Sequence, residues 1–160
     1  MERAFLGAAL GVVLCAGVQA GQWAVLVNGH AMHLEETKKG SDNEDNYGLG
    51  IEYGFTPSGR LRPFLFANGF RDSNEDPSYA VGGGYRLRLI DRAIYLDGGF
   101  AAMMMTRHDY RDGDPFPALL PVVTIGVGAI GMNVLYAPDI GPTVPLIFFQ
   151  LRIAPAESRR

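Results

Sequence analysis

Three side chains of catalytic type stand out in a chain dominated by strand formers. They are His30, and Asp72 with Ser73 at the end of the run Gly69-Phe70-Arg71-Asp72-Ser73. An imidazole with an intrinsic pKa of about 6.5 can take a proton from a hydroxyl near neutral pH. A carboxylate can orient that ring and stabilise the cation it becomes. A serine can act as nucleophile or as hydrogen-bond donor. Arg107 stands where a fourth polar group could join them. Taken alone, these residues favour a plainer reading: a histidine at a rim, an Asp-Ser turn and a solvated arginine. No triad spacing links them, and Asp and Ser are common turn residues. What decides is whether the surrounding elements bring them together.

Those elements read as strands. Eight β-type segments alternate with polar or Gly/Pro-rich breaks: Trp23–Leu34, Tyr47–Phe55, Leu61–Phe70, Tyr79–Leu89, Ile94–Thr106, Leu119–Val127, Met132–Ala137 and Val144–Ile153. None shows helical periodicity between caps. Long polar connectors follow the first, third and fifth segments, at Glu35–Asn46, Arg71–Ser78 and Arg107–Ala118. Short ones follow the even segments, at Thr56–Arg60, Ile90–Ala93 and Gly128–Gly131, while Pro138–Thr143 is intermediate. Long loops at one end and tight turns at the other are the habit of outer-membrane barrels.

Alternation agrees. Leu49, Ile51, Tyr53 and Phe55 share one face of their strand, against Gly48, Gly50, Glu52 and Gly54. Tyr79, Val81, Tyr85, Leu87 and Leu89 oppose Ser78, Ala80, Gly82, Gly84, Arg86 and Arg88. The expected fold is all-β: an eight-stranded antiparallel up-and-down transmembrane β-barrel, closed because hydrocarbon tolerates no bare strand edge. Odd-numbered strands then end on one rim, which gathers His30, Asp72, Ser73 and Arg107. Counting from Ala24, Leu26 and Asn28 turns His30 inward, and Arg107 continues the inward parity of Met103 and Met105.

The inward face changes character along the barrel. Glu52, Arg86, Arg88 and Asp97 lie toward the short turns; Gly82, Gly84, Ala101, Met103 and Met105 lie toward the long loops. A dry upper lumen could hold an acyl chain. The pattern alone favours a packed plug of side chains, as in most small barrels.

Other chemistries find no support. His30 and His33 stand three apart on a strand and face opposite ways, so they cannot chelate one metal. The acidic stretches 42–46 and 109–114 lack EF-hand spacing and read as solvated loops. Gly48-Leu49-Gly50 followed by Gly54 is not a nucleotide fingerprint, and Met103-Met104-Met105 reads as strand lining. No metal and no cofactor are expected. A net charge of −3 argues against nucleic-acid binding.

Residues 1–20 read as a signal peptide, with an apolar run from Ala4 to Val18 too short to span a bilayer and small residues at Val18-Gln19-Ala20. Cys15, the only cysteine, would leave with it, so disulfides and thiolate metal sites are excluded from the mature chain. The barrel is expected over 21–153, followed by a polar tail at 154–160.

The chain resembles the lipid A palmitoyltransferases, the PagP family of Gram-negative outer membranes. Phe70-Arg71-Asp72-Ser73 is similar to that family's Phe-Lys-Asp-Ser loop. Ala118-Leu119-Leu120-Pro121 is similar to its Val-Leu-Leu-Pro segment, and Tyr136-Ala137-Pro138 to its Tyr-Ile-Pro. Gly99-Phe100 and Thr106-Arg107 fall in step. The resemblance implies that His30, Asp72 and Ser73 match the family's essential residues and are catalytic, that Arg107 matches its arginine on the following loop, where it would hold phosphate or stabilise the loop, and that Gly84 lies at the floor of an acyl-measuring pocket; Met103 and Met105, inward by parity, would line the chain's path. It implies that Pro121 and Pro138 flank a lateral gate. The partners implied are a phospholipid donor and a lipid A acceptor, in the outer membrane, with the protein acting as a monomer. A non-enzymatic outer-membrane barrel, adhesin or structural, and a soluble periplasmic lipid-binding barrel are the alternatives.

Overall fold

Alternation with a period of two requires a second layer or a closed wall, and this chain closes the wall. A computed structural model describes residues 21–33, 45–71, 75–107, 111–138 and 145–155. The expected signal segment 1–20 lies outside them. Eight strands run in order: β1 (Gln22–His33), β2 (Asp45–Gly54), β3 (Leu61–Arg71), β4 (Pro77–Asp91), β5 (Ile94–Met105), β6 (Phe116–Val127), β7 (Ile130–Ala137) and β8 (Leu146–Ile153). Each pairs antiparallel with the next, and β8 returns to β1 along Val25–Ile153 to His33–Leu146.

Tight turns at one end join β4 to β5 and β6 to β7, the second with Gly128 at φ 57°. That left-handed backbone suits a residue with no Cβ. The connector expected over Arg71–Ser78 is shortened at both ends by strand. Phe70 pairs with Ser78 and Arg71 with Pro77, which leaves only residues 72–76 between β3 and β4. Proline is tolerated as the first residue of a strand, where its missing N–H need not join the ladder.

The outer wall is apolar on every strand. Leu49, Ile51, Tyr79, Val81, Tyr85, Phe100, Leu119, Val123 and Ile125 are all exposed. A surface of this kind suits hydrocarbon rather than water. Aromatics gather toward both ends. Trp23 packs on Tyr53 at a tilt, with ring centroids 5.0 Å apart, and Tyr53 meets Phe55 edge-on at 5.1 Å, near the tight turns. Tyr47, Tyr79 and Tyr136 are exposed toward the other rim.

The interior is tiered. Lowest are buried ions: Glu52 accepts from Arg86 Nη1 at 3.0 Å and from Arg152 Nε at 2.8 Å, and Arg88 pairs with Asp97. Arg86 also lies 3.9 Å over the Phe64 ring. Beside these runs a belt of amides. Thr124 Oγ1 donates to Asn133 Oδ1 (2.7 Å), Asn133 Nδ2 to Gln150 Oε1 (2.9 Å) and Gln150 Nε2 to Asn28 Oδ1 (2.7 Å). Asn28 Nδ2 then donates to Asn68 Oδ1 at 2.7 Å. These groups are buried, and each satisfies the next. Above lies an apolar cluster of Phe64, Ala80, Ala101, Met103 and Val122.

Candidate functional site

Small and flexible side chains on the upper inward face leave the lumen unfilled. Ala80, Ala101, Ala118 and Met103 occupy positions where Phe or Leu would meet across the barrel. A cavity of about 350 Å³ results, walled also by Phe66, Phe70, Met105, Leu120, Leu135 and Phe148. Glu52, Arg86, Asn133 and Gln150 from the polar tiers also line it. Arg107, Arg111, Pro117, Pro138 and Leu146 also line it, toward the rim. The plug that the pattern favoured is therefore confined to the lower barrel. A pocket of this size lies within the roughly 300–1,000 Å³ range of ligand sites.

The expected lining residues fall into two groups. Met103, Met105 and Arg107 border the cavity, as parity required. Gly84 pairs with Phe64 on β3 and Ala101 on β5, both buried inward residues, so it belongs to the inner face. A Cβ on Gly84 would meet the backbone carbonyl of Phe100. Glycine there lets β4 and β5 approach closely, so a substitution must move strands as well as occupy space.

The prolines sit at an interruption in the wall. The β6–β7 ladder runs from Val127–Ile130 to Val122–Leu135 and stops. Above it, β6 from Phe116 to Pro121 is paired with β5, and Tyr136 and Ala137 of β7 are paired with β8. Pro121 is the first residue past the last β6–β7 pair, and Pro138 follows the end of β7. Proline brings no N–H to a ladder, which accounts for an end to pairing at this point.

His30 departs from the expectation. Register shifts between Asn28 and His30 against both neighbouring strands, and against β8 these two pair with the consecutive Gln150 and Phe149, so Gly29 is the extra residue of a β-bulge. The extra residue inverts the parity. His30 stands opposite Phe149 and Asp45, and its imidazole is about half exposed, while Ala31 turns inward and is fully buried. His30 therefore faces outward at the long-loop rim, not into the lumen. Its Nδ1 lies 3.8 Å from Asp45 Oδ1, and its ring lies 6.5 Å from that of Phe149. The bulge has a signal in the sequence, a glycine inside a strand, which often marks one. The sequence pattern places Asp45 in a solvated acidic loop; β2 begins two residues earlier than that pattern and carries it onto the ladder.

Asp72 and Ser73 lie outside the described residues, as do the His33 side chain and His108. Their flanks end on the His30 rim: Phe70 pairs with Gly48 of β2, three residues from Asp45. Sequence reasoning missed Asp45, Asn46, Arg111, the partnership of Arg152 with Glu52, and the amide belt. The Arg152–Glu52 pair and the Gln150–Asn28 link of the belt join residues far apart in the chain.

Two solved structures are similar to this chain. The Yersinia pestis outer membrane protein Ail in phospholipid bilayer nanodisc is 11% identical with a TM-score of 0.46, over 84% of this chain and 99% of that one. The crystal structure of Ail, the attachment invasion locus protein of Yersinia pestis, is 12% identical with a TM-score of 0.44, over 84% and 95%. No curated protein matches significantly. The family model described as "Antimicrobial peptide resistance and lipid A acylation protein PagP" matches residues 18–152. A match over that much of the barrel means that this chain belongs to the PagP family.

Proposed function

We propose that the protein is an outer-membrane acyltransferase that moves a palmitoyl chain from a glycerophospholipid to a hydroxyl of lipid A. The observation that carries this reading is an apolar cavity opening at the rim where His30 and Asp45 meet. The donor's acyl tail lies in the cavity, with its ester at the mouth and Arg107 near the phosphate. Lipid enters from the side where β6 and β7 are unladdered, between Pro121 and Pro138.

His30 takes the proton from the acceptor hydroxyl as its oxygen attacks the ester carbonyl. The tetrahedral oxyanion collapses, the bond to the glycerol oxygen breaks, and His30 returns the proton to that oxygen. The products are acylated lipid A and a lysophospholipid. Asp72 orients His30, and Ser73 positions substrate or donates to the oxyanion. Because His30 faces outward, the acceptor approaches from the surrounding leaflet rather than through the lumen.

Mass spectrometry of lipid A from cells with and without the protein tests this. Expected is a gain of one sixteen-carbon acyl group, lost in His30→Ala and Ser73→Ala with the barrel still folded. Identical lipid A in all four strains refutes it and leaves a structural or adhesive barrel.

A further inference from the structure

Among the described residues, two that line the cavity hold a buried polar atom without a partner: Arg86, at Nε in the lower tier, and Asn46, at Oδ1 toward the mouth. Asn46 follows Asp45 on β2, and successive strand residues face opposite ways. Asp45 therefore turns out toward His30 while Asn46 turns in, lining the cavity and only 4% exposed. Its Oδ1 is buried, and among the described residues nothing donates to it. The amides lower in the barrel are different, each joined to a neighbour. An orphaned buried amide costs free energy, and such exceptions in a well-satisfied interior mark places kept for something else.

We propose that Asn46 is the hydrogen-bond donor to the carbonyl of the acyl ester held at the cavity mouth. This rests on the acyl-transfer reading and adds a binding residue to it. A half-turn about χ2 exchanges Oδ1 for Nδ2, so the buried position can present an N–H. The chemistry selects the ester over the headgroup. Asn46 is too deeply buried for a charged phosphate, which Arg107 and Arg111 suit better. With the methylenes among Phe70, Met103 and Met105, the first polar atom above them is the ester oxygen. The carbonyl then lies over the β2 rim, with Asn46 beneath it on the lumen side and His30 beyond it on the outer side. A donor fixed at that oxygen strengthens as the oxyanion develops.

The test uses the full-length barrel folded in detergent micelles, with methyl palmitate carrying ¹³C at its carbonyl, followed by infrared spectroscopy. In the wild type the bound carbonyl band is expected at lower wavenumber than in empty micelles. Asn46→Leu, close in shape, loses that shift. Its transfer rate to lipid A falls by about 100-fold with KM nearly unchanged, the size of losing one oxyanion donor. Its thermal midpoint stays level or rises, because an unsatisfied group has been removed; a purely structural role would lower it. Asn46→Ala serves if the leucine variant does not fold. An unshifted band in the wild type, or a shift and rate that persist in the variant, overturns the proposal. A shift lost in Asn46→Leu without any transfer by the wild type refutes the acyltransferase reading and leaves the contact standing. Transfer by the wild type with Asn46→Leu equally active does the reverse.

Discussion

Glu52→Leu removes a buried anion from the lower barrel. Glu52 is 1% exposed and is clamped by two guanidinium groups, Arg86 through Nη1 (3.0 Å) and Nη2 (2.5 Å), and Arg152 through Nε (2.8 Å). Leucine fills most of the volume but leaves two buried cations beside each other without their anion. Removing one member of a buried ion pair costs about 3–5 kcal/mol, because the charge left behind has already given up its water. Taking about 4 kcal/mol, the folding equilibrium shifts by roughly three powers of ten. The single tryptophan, Trp23, is exposed on the outer wall and packs against Tyr53. Its fluorescence therefore reports folding during urea titration in lipid vesicles. A second variant separates lost charge from lost shape: Glu52→Leu with Arg86→Met and Arg152→Met should return to within about 1 kcal/mol of wild type, since apolar replacement of a whole buried triad is often neutral. Glu52 and Arg86 also line the cavity, so the distribution of transferred chain lengths should broaden in the single variant. A Glu52→Leu barrel within about 1 kcal/mol of wild type would show that these ions are hydrated, and the sealed lower tier would be wrong.

Three further outcomes follow from the same geometry. Asn133→Leu leaves Thr124 and Gln150 without their partner in the amide belt and should cost about 1–3 kcal/mol in the same titration; no loss would mean that water already bridges the belt. Gly84→Ala should lower the unfolding midpoint and also shorten the longest acyl chain transferred, because its Cβ meets the β5 backbone; an unchanged midpoint would show that β4 and β5 do not approach so closely. With Cys15 replaced by serine, a cysteine placed by His30→Cys should react with a polar maleimide at least about tenfold faster than one placed by Ala31→Cys; the opposite order would remove the bulge at Gly29.

Much of this molecule was legible in the amino-acid order. Period-two alternation assigned Glu52, Arg86, Arg88 and Asp97 to the inside and Leu49, Val81, Tyr85 and Phe100 to the outside, because a strand has only two faces and each meets a different solvent. The same rule with loop order put Met103, Met105 and Arg107 on one upper lumen. It failed at His30 because one extra residue, Gly29, reverses every side chain beyond it, and whether a glycine bulges depends on the registers of β2 and β8. The partners Arg152 with Glu52, and Gln150 with Asn28, stand far apart in the chain and meet only when β8 closes on β1. Periodicity is local and needs only the backbone; closure, register and the orphaned amide of Asn46 are properties of eight strands meeting at once, so only the tertiary structure could decide them.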